Sequence, residues 1–255
     1  MTVKMKILAL AMRPEAEKLN GGNAFDAMDR YKNADYMRKI QENMADMMSH
    51  NAQVWDACTH GPNAKTCANT TFLQEACRRY PVLASKIVRL RLNLTRQLLD
   101  DASMGPMKVL YLVRDPRATM NSRLGSVKWC SASADCITPS RLCADIDSDL
   151  DAFETLSPSY ANRVALVKYE TLATQPLVTF RAIFEFAGLT FTEKIQESIL
   201  RHTSRNEDLP WSTVRRSAER VNLWRTKLSA DKIADIQKSC SSVLNRLGLT
   251  PVQPV

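Results

Sequence analysis

The sequence predicts a three-layer α/β fold, with helices covering both faces of a central parallel sheet. Short apolar runs rich in β-formers, such as Val109–Val113, alternate with longer segments of helical periodicity. Breakers such as Met104-Gly-Pro106 fall between them. The 255 residues suffice for one large domain or two small ones, with a substantial core.

The elements follow in order. Met1–Met12 carries lysines and then six apolar residues, short for a signal-peptide core, with no small-residue cleavage site after it. Residues 13–56 read as helices interrupted by a turn at Asn20-Gly-Gly-Asn23. Met37, Ile40, Met44 and Met47 or Met48 form a packing stripe there. Residues 1–50 are therefore taken as a helical segment and 51–250 as the main domain. Cys58–Cys67 reads as a loop around His60-Gly-Pro62, and Thr71-Phe-Leu-Gln74 opens a short helix that stops before Pro81. Val82–Leu92 alternates apolar and basic residues, which predicts a strand bearing Lys86, Arg89 and Arg91.

A helix from about Asn93 to Ala102 then separates two strands, which suits a βαβ crossover. A further strand, Val164–Glu170, follows a helix-like stretch over 141–156. The helix over Leu177–Ala187 ends at Gly188. Ile233, Ile236, Cys240, Val243, Leu244 and Leu247 form one apolar stripe closed by Gly248. Folds of this kind bind ligands at the carboxyl ends of their strands.

Met107–Arg123 is the most informative stretch. Val109–Val113 predicts a buried strand; Asp115 then serves as N-cap, with Pro116 at the first helical position. Helix N-termini attract anions, and Arg114 adds a full positive charge at the strand end. Ser122 lies close to two turns after the cap, so its hydroxyl returns to roughly the same side. An arginine, a helix start and a hydroxyl can surround one phosphate.

The chain has 35 basic and 27 acidic residues, a net charge of +8, which favours anionic partners. The excess is concentrated late, in Arg201, Arg205, Arg215, Arg216, Arg220, Arg225 and Lys227. None of the seven cysteines lies in a Cys-x-x-Cys pair, and the three histidines complete no zinc pattern, so no metal is expected. Cys58 and Cys67, or Cys130, Cys136 and Cys143, could close small loops as disulfides or remain thiols. Asn69-Thr-Thr and Asn93-Leu-Thr are glycosylation acceptors in a lumenal protein. No run has the apolar length needed to cross a bilayer.

Arg114-Asp-Pro-Arg-Ala118, followed by Ser122-Arg123, resembles the 3′-phosphate-binding motif of Golgi carbohydrate sulfotransferases. The nearest branch is the one that sulfates the 6-hydroxyl of galactose or N-acetylglucosamine. Val54-Trp-Asp-Ala-Cys58, Phe72-Leu-x-x-x-Cys77-Arg-Arg-Tyr-Pro81, Lys86-Ile-Val-Arg-Leu-Arg91, Val167-Lys-Tyr-Glu-Thr-Leu172 and Trp224-Arg-x-Lys-Leu228 resemble the same branch, in the same order. The resemblance covers about residues 50–248.

It implies a P-loop-NTPase-like sulfotransferase fold and 3′-phosphoadenosine 5′-phosphosulfate (PAPS) as sulfuryl donor. By position, Arg114 and Ser122 would grip the 3′-phosphate, Tyr169 would contact adenine, and Arg216 would come from the late loop beside the phosphate. The family's early strand and Ser/Gly-rich 5′-phosphosulfate loop have no visible counterpart, because none of the seven glycines lies in such a stretch. The fold is accordingly expected to be incomplete at its amino end, as though the chain began after that loop, leaving a sheet edge exposed.

The function implied is transfer of a sulfuryl group from PAPS to a carbohydrate hydroxyl, the 6-OH of galactose or N-acetylglucosamine in a glycan. The alternative is a catalytically inactive relative that binds 3′-phosphoadenosine or acts as an interaction module. A basic nucleic-acid binder ranks last, since no nucleic-acid motif is present. Lys86 is a candidate cation for the transfer, and Arg89 and Arg91 for contacts to an anionic glycan. No catalytic base is assigned; Glu170 could serve as one or cap a helix. The partners implied are a glycan acceptor and the nucleotide donor, without nucleic acid and with homo-oligomerisation left open. The resemblance implies the Golgi lumen or membrane; the lack of a recognisable signal or anchor leaves a cytosolic chain or a fragment as the alternative.

Overall fold

The computed structural model describes the strand Ile7–Met12 and residues 82–87, 90–126, 130, 134–206 and 214–253. The elements are β1 (Ile7–Met12), β2 (Val82–Ile87), α1 (Thr95–Asp100), β3 (Met107–Val113), α2 (Pro116–Ser126), α3 (Ala134–Ile137), α4 (Pro139–Ser159) and β4 (Val164–Lys168). They continue with α5 (Tyr169–Thr174), α6 (Pro176–Ala187), α7 (Glu193–Thr203), α8 (Trp224–Lys227), α9 (Ala230–Ser239) and α10 (Ser241–Leu247).

The four strands are ordered β2-β1-β3-β4. β3 and β4 run parallel, with Val109 opposite Val164 and Val113 opposite Lys168. Every residue of β3 except Lys108 is buried, as befits a parallel strand covered on both faces. In β4 only Val164 is fully buried. The fold is therefore α/β.

Contacts divide the chain into two compact units. Met1–Ala9, Ser85–Gln97 and Lys108–Val255 form the first, which includes residues of all four strands. Leu10–Ala84 and Leu98–Met107 form the second.

Several sequence expectations change in detail. A strand that the sequence reading did not assign, Ile7–Met12 in the segment read as helical, lies between β2 and β3. Its alternation of large residues with alanine suits a strand, and it lies too near the amino end to be told from a short leader by pattern alone. β2 ends at Ile87 rather than Leu92, because Leu92–Leu94 turns into a 3₁₀ segment. Tyr169 opens α5 rather than finishing a strand. The carboxyl-terminal stripe is broken at Cys240 into α9 and α10, yet all six of its apolar residues are buried. The helices and turn read over 13–56, the Cys58–Cys67 loop, the helix at Thr71 and Arg89 lie outside the described residues.

α4 is the main strut of the first unit. Cys143 on α4 is disulfide-bonded to Cys240, and a second disulfide joins Cys130 to Cys136. Arg246 on α10 reaches Asp151 and Glu154 of α4 at 2.8 and 2.7 Å. Arg91 pairs with Asp145 and, at 2.8 Å, with the buried Asp149, whose Oδ1 also accepts the Leu92 N–H at 3.0 Å. Among the described residues, no helix is long and apolar enough to cross a membrane.

Candidate functional site

The carboxyl end of β3 leads straight into α2, and local chemistry fixes that turn. Asp115 Oδ1 accepts the Arg117 N–H at 2.8 Å, the side-chain bond of an N-cap, and Pro116 occupies the first helical position. A second bond ties the turn to the neighbouring strand end: the Asp115 N–H donates to Glu170 Oε1 at 2.9 Å.

The second arginine of the motif points inward. The Arg117 side chain is 2 % exposed and ion-pairs with Asp115 at 2.9 Å. It also stacks on the Trp224 ring at 4.3 Å and donates to Gln237 Oε1 and the Thr250 carbonyl, each at 3.0 Å. Arg123 likewise turns inward and donates to the Cys136 carbonyl at 3.0 Å. Arg114, by contrast, lines a cavity.

That cavity has a volume of about 400 Å³. Arg114, Ala118, Asn121 and Ser122 line one side; the last three share a face of α2 through i, i+3 and i+4 spacing. Tyr169, Ala173, Phe180 and Ile199 supply apolar wall from α5, α6 and α7. The Arg114 guanidinium lies 4.4 Å from the centre of the Tyr169 ring, and its Nη2 donates to the Arg220 carbonyl at 3.4 Å. Its Nε is buried without a hydrogen-bond partner among the described residues. A buried donor with no acceptor is costly, so this atom fits an anionic ligand at the cavity wall.

Burial dominates the electrostatics of this corner. It lowers the Arg114 pKa, with Tyr169, Glu170 and Asp115 partly opposing the shift. Burial raises the Tyr169 phenol, against the pull of Arg114. It also raises the Glu170 carboxyl, although the Asp115 N–H bond favours the ionised form. Glu170 is thus committed to the β3–α2 turn and does not line the cavity.

The structure brings together three of the four residues expected at the site: Arg114, Ser122 and Tyr169. Arg216 is outside the lining; its side chain is 59 % exposed and faces Glu219 at 3.4 Å. The reason is local. The Arg215 N–H binds the His202 carbonyl and the Ser217 N–H binds the Thr203 carbonyl, so these flanking residues face α7. The intervening Arg216 N–H binds Asn206 Oδ1 instead. Arg215, Ser217, Arg220 and His202 line the cavity in place of the expected Arg216. Alternation along 215–217 was the signal that could have found Arg215 and Ser217; Arg220 and His202 carried no such local signal. Lys86 is exposed on β2, and Arg91 is engaged by Asp145 and Asp149 rather than offered to a glycan.

A parallel strand that delivers a cation into a cavity at its carboxyl end defines an α/β ligand-binding protein. The sulfotransferase domain family matches residues 17–248, so the chain belongs to the sulfotransferases, on the carbohydrate sulfotransferase side. It is 30% identical over 212 residues to carbohydrate sulfotransferase 1 of Danio rerio, covering 75% of this chain and 50% of that one. Against carbohydrate sulfotransferase 6 of Homo sapiens the identity is 31% over 212 residues, covering 73% and 53%. Against carbohydrate sulfotransferase 3 of Mus musculus it is 28% over 197 residues, covering 71% and 42%. The chain thus spans about half the length of the curated relatives it matches.

Proposed function

We propose that this chain transfers a sulfuryl group from PAPS to a carbohydrate hydroxyl, the 6-OH of galactose or N-acetylglucosamine in a glycan. One observation carries the nucleotide reading: Arg114, Ser122 and Tyr169 line a single cavity, with a buried Arg114 donor lacking a partner among the described residues. In that reading Arg114 and Ser122 hold the 3′-phosphate, and Tyr169 meets the adenine. Arg215 and Arg220 add positive charge on the same wall. The names of the relatives, all carbohydrate sulfotransferases, support the acceptor class.

PAPS supplies the sulfuryl group and a leaving bisphosphate. The protein's part is to fix the nucleotide so that the acceptor hydroxyl meets the sulfur in line, and to neutralise charge on the departing oxygens. The two disulfides favour an oxidising compartment, which supports the Golgi lumen as the site of action.

A second reading is a relative that binds 3′-phosphoadenosine without transfer. It is favoured by the sequence after β1, Arg13-Pro-Glu-Ala-Glu-Lys, which has no Ser/Gly-rich loop to cradle a phosphosulfate. Calorimetry with adenosine 3′,5′-bisphosphate tests the shared claim, and folded protein that does not bind it sinks both readings. Transfer of labelled sulfate from PAPS to galactose- or N-acetylglucosamine-ended acceptors then separates enzyme from binder.

A further inference from the structure

The motif's inward-facing Arg117 is held at its far end by Gln237 on α9 and by the segment after α10. Gln237 is the junction. Its Oε1 accepts from Arg117 Nη1 at 3.0 Å and from the Val252 N–H at 2.8 Å, while its Nε2 donates to the Val252 carbonyl at 3.0 Å. Thr250 lends its carbonyl to the same Arg117 nitrogen at 3.0 Å. Val252 also packs against the cluster of Ala118, Trp224 and Ile233, and Ala118 is part of the cavity wall.

The bonds form one path. Gln237 and Thr250 fix one end of the Arg117 guanidinium, and the Trp224 ring fixes its plane. The other nitrogens bind both oxygens of Asp115 at 2.9–3.2 Å. Asp115 caps α2 and follows Arg114 directly, so its position sets where Arg114 leaves β3 and where the Ala118–Ser122 face lies. A guanidinium fork suits this task because its donors are rigidly arrayed, and a site is only as well placed as the groups behind it.

We propose that Gln237 is a positioning residue for the anion site: through Arg117 and Asp115 it sets the geometry of Arg114 and Ser122, with Thr250–Val252 as the clasp. This rests on the nucleotide reading above. It predicts a selective defect. A ligand whose 3′-phosphate meets Arg114 and Ser122 feels the loss, and one without that phosphate does not.

The test compares wild type, Gln237→Met and Gln237→Glu by calorimetry, using adenosine 3′,5′-bisphosphate and adenosine 5′-phosphate. Methionine has similar bulk and makes none of the hydrogen bonds; glutamate keeps the acceptor for Arg117 and for the Val252 N–H. Gln237→Met is expected to weaken the bisphosphate by about tenfold, the scale of one charge-assisted hydrogen bond, and to change the monophosphate less than about twofold. Gln237→Glu is expected to restore most of the loss. Equal weakening of both ligands, or no weakening, overturns the proposal. Thermal melts confirm that the variants fold; if Gln237→Met does not, Arg117→Lys gives the same comparison, because it keeps the charge and loses the fork. Wild-type protein that binds neither nucleotide overturns the underlying nucleotide reading instead.

Discussion

The Arg114 guanidinium lies 4.4 Å from the centre of the Tyr169 ring, so the ends of two adjacent parallel strands meet as a cation on an aromatic face. This contact aims the charge into the cavity and leaves Nε unpartnered among the described residues. Tyr169→Phe keeps the ring and is expected to change affinity for adenosine 3′,5′-bisphosphate by less than about threefold, whereas Tyr169→Ala removes about 0.5–2 kcal/mol of cation–π contact. Calorimetry on the two variants decides. Equal losses would assign the tyrosine's role to its hydroxyl.

Ser122 lines the cavity and Arg216 does not. Ser122→Ala should weaken the bisphosphate by about ten- to a hundredfold, the value of a hydrogen bond to a charged group. Arg216→Ala should do much less, because its side chain is exposed and faces Glu219. Arg220→Ala should lie between them, since Arg220 lines the cavity. A larger effect at Arg216 than at Arg220 would show that the late loop closes differently around a ligand.

Burial raises the Glu170 carboxyl above its usual 4.5. The folded chain therefore binds this proton more readily than the unfolded chain does. The stability contributed is fully present below about pH 4.5 and is lost as pH rises through the raised value. Glu170→Gln keeps an acceptor for the Asp115 N–H and removes the titration. Urea unfolding across that window should give a flatter pH dependence for the variant, and an unchanged slope would mean that other groups carry it.

The Cys143–Cys240 disulfide spans 97 residues. Loop entropy alone makes such a link worth about 4–5 kcal/mol. Replacing both cysteines by serine should lower the urea midpoint accordingly. The Cys130–Cys136 link closes only a short loop, so the same change there should cost less.

Arg117→Ala leaves Asp115, 6 % exposed, without its main counter-charge. Breaking one side of a buried pair costs about 3–5 kcal/mol, which should appear as a lowered melting temperature. A loss below about 1 kcal/mol would mean that water repairs the site.

The parts legible in the sequence were those fixed locally. An apolar run, an Asx cap and a proline suffice to specify the β3–α2 turn, because each acts within a few residues. The stripe from Ile233 to Leu247 marked six buried residues for the same reason, although the break at Cys240 was invisible to periodicity. What failed to show was non-local. Cysteine spacing cannot give connectivity, so the pairing of Cys143 with Cys240 was not among the small loops considered. A basic run reports charge but not direction, which is why Arg216 was chosen over Arg215 and Arg220. Nor could the pattern of Ile7–Met12 announce a place in the middle of a sheet.

The hydrogen bond from Arg117 to Thr250 joins positions 133 residues apart. At the usual pace of translation, roughly 5–20 residues per second, the arginine is synthesised about 7–27 seconds before its last partner. For that interval a guanidinium destined for the interior has Asp115 beside it and no clasp. The motif in the middle of the chain is thus completed only after Thr250 has been made.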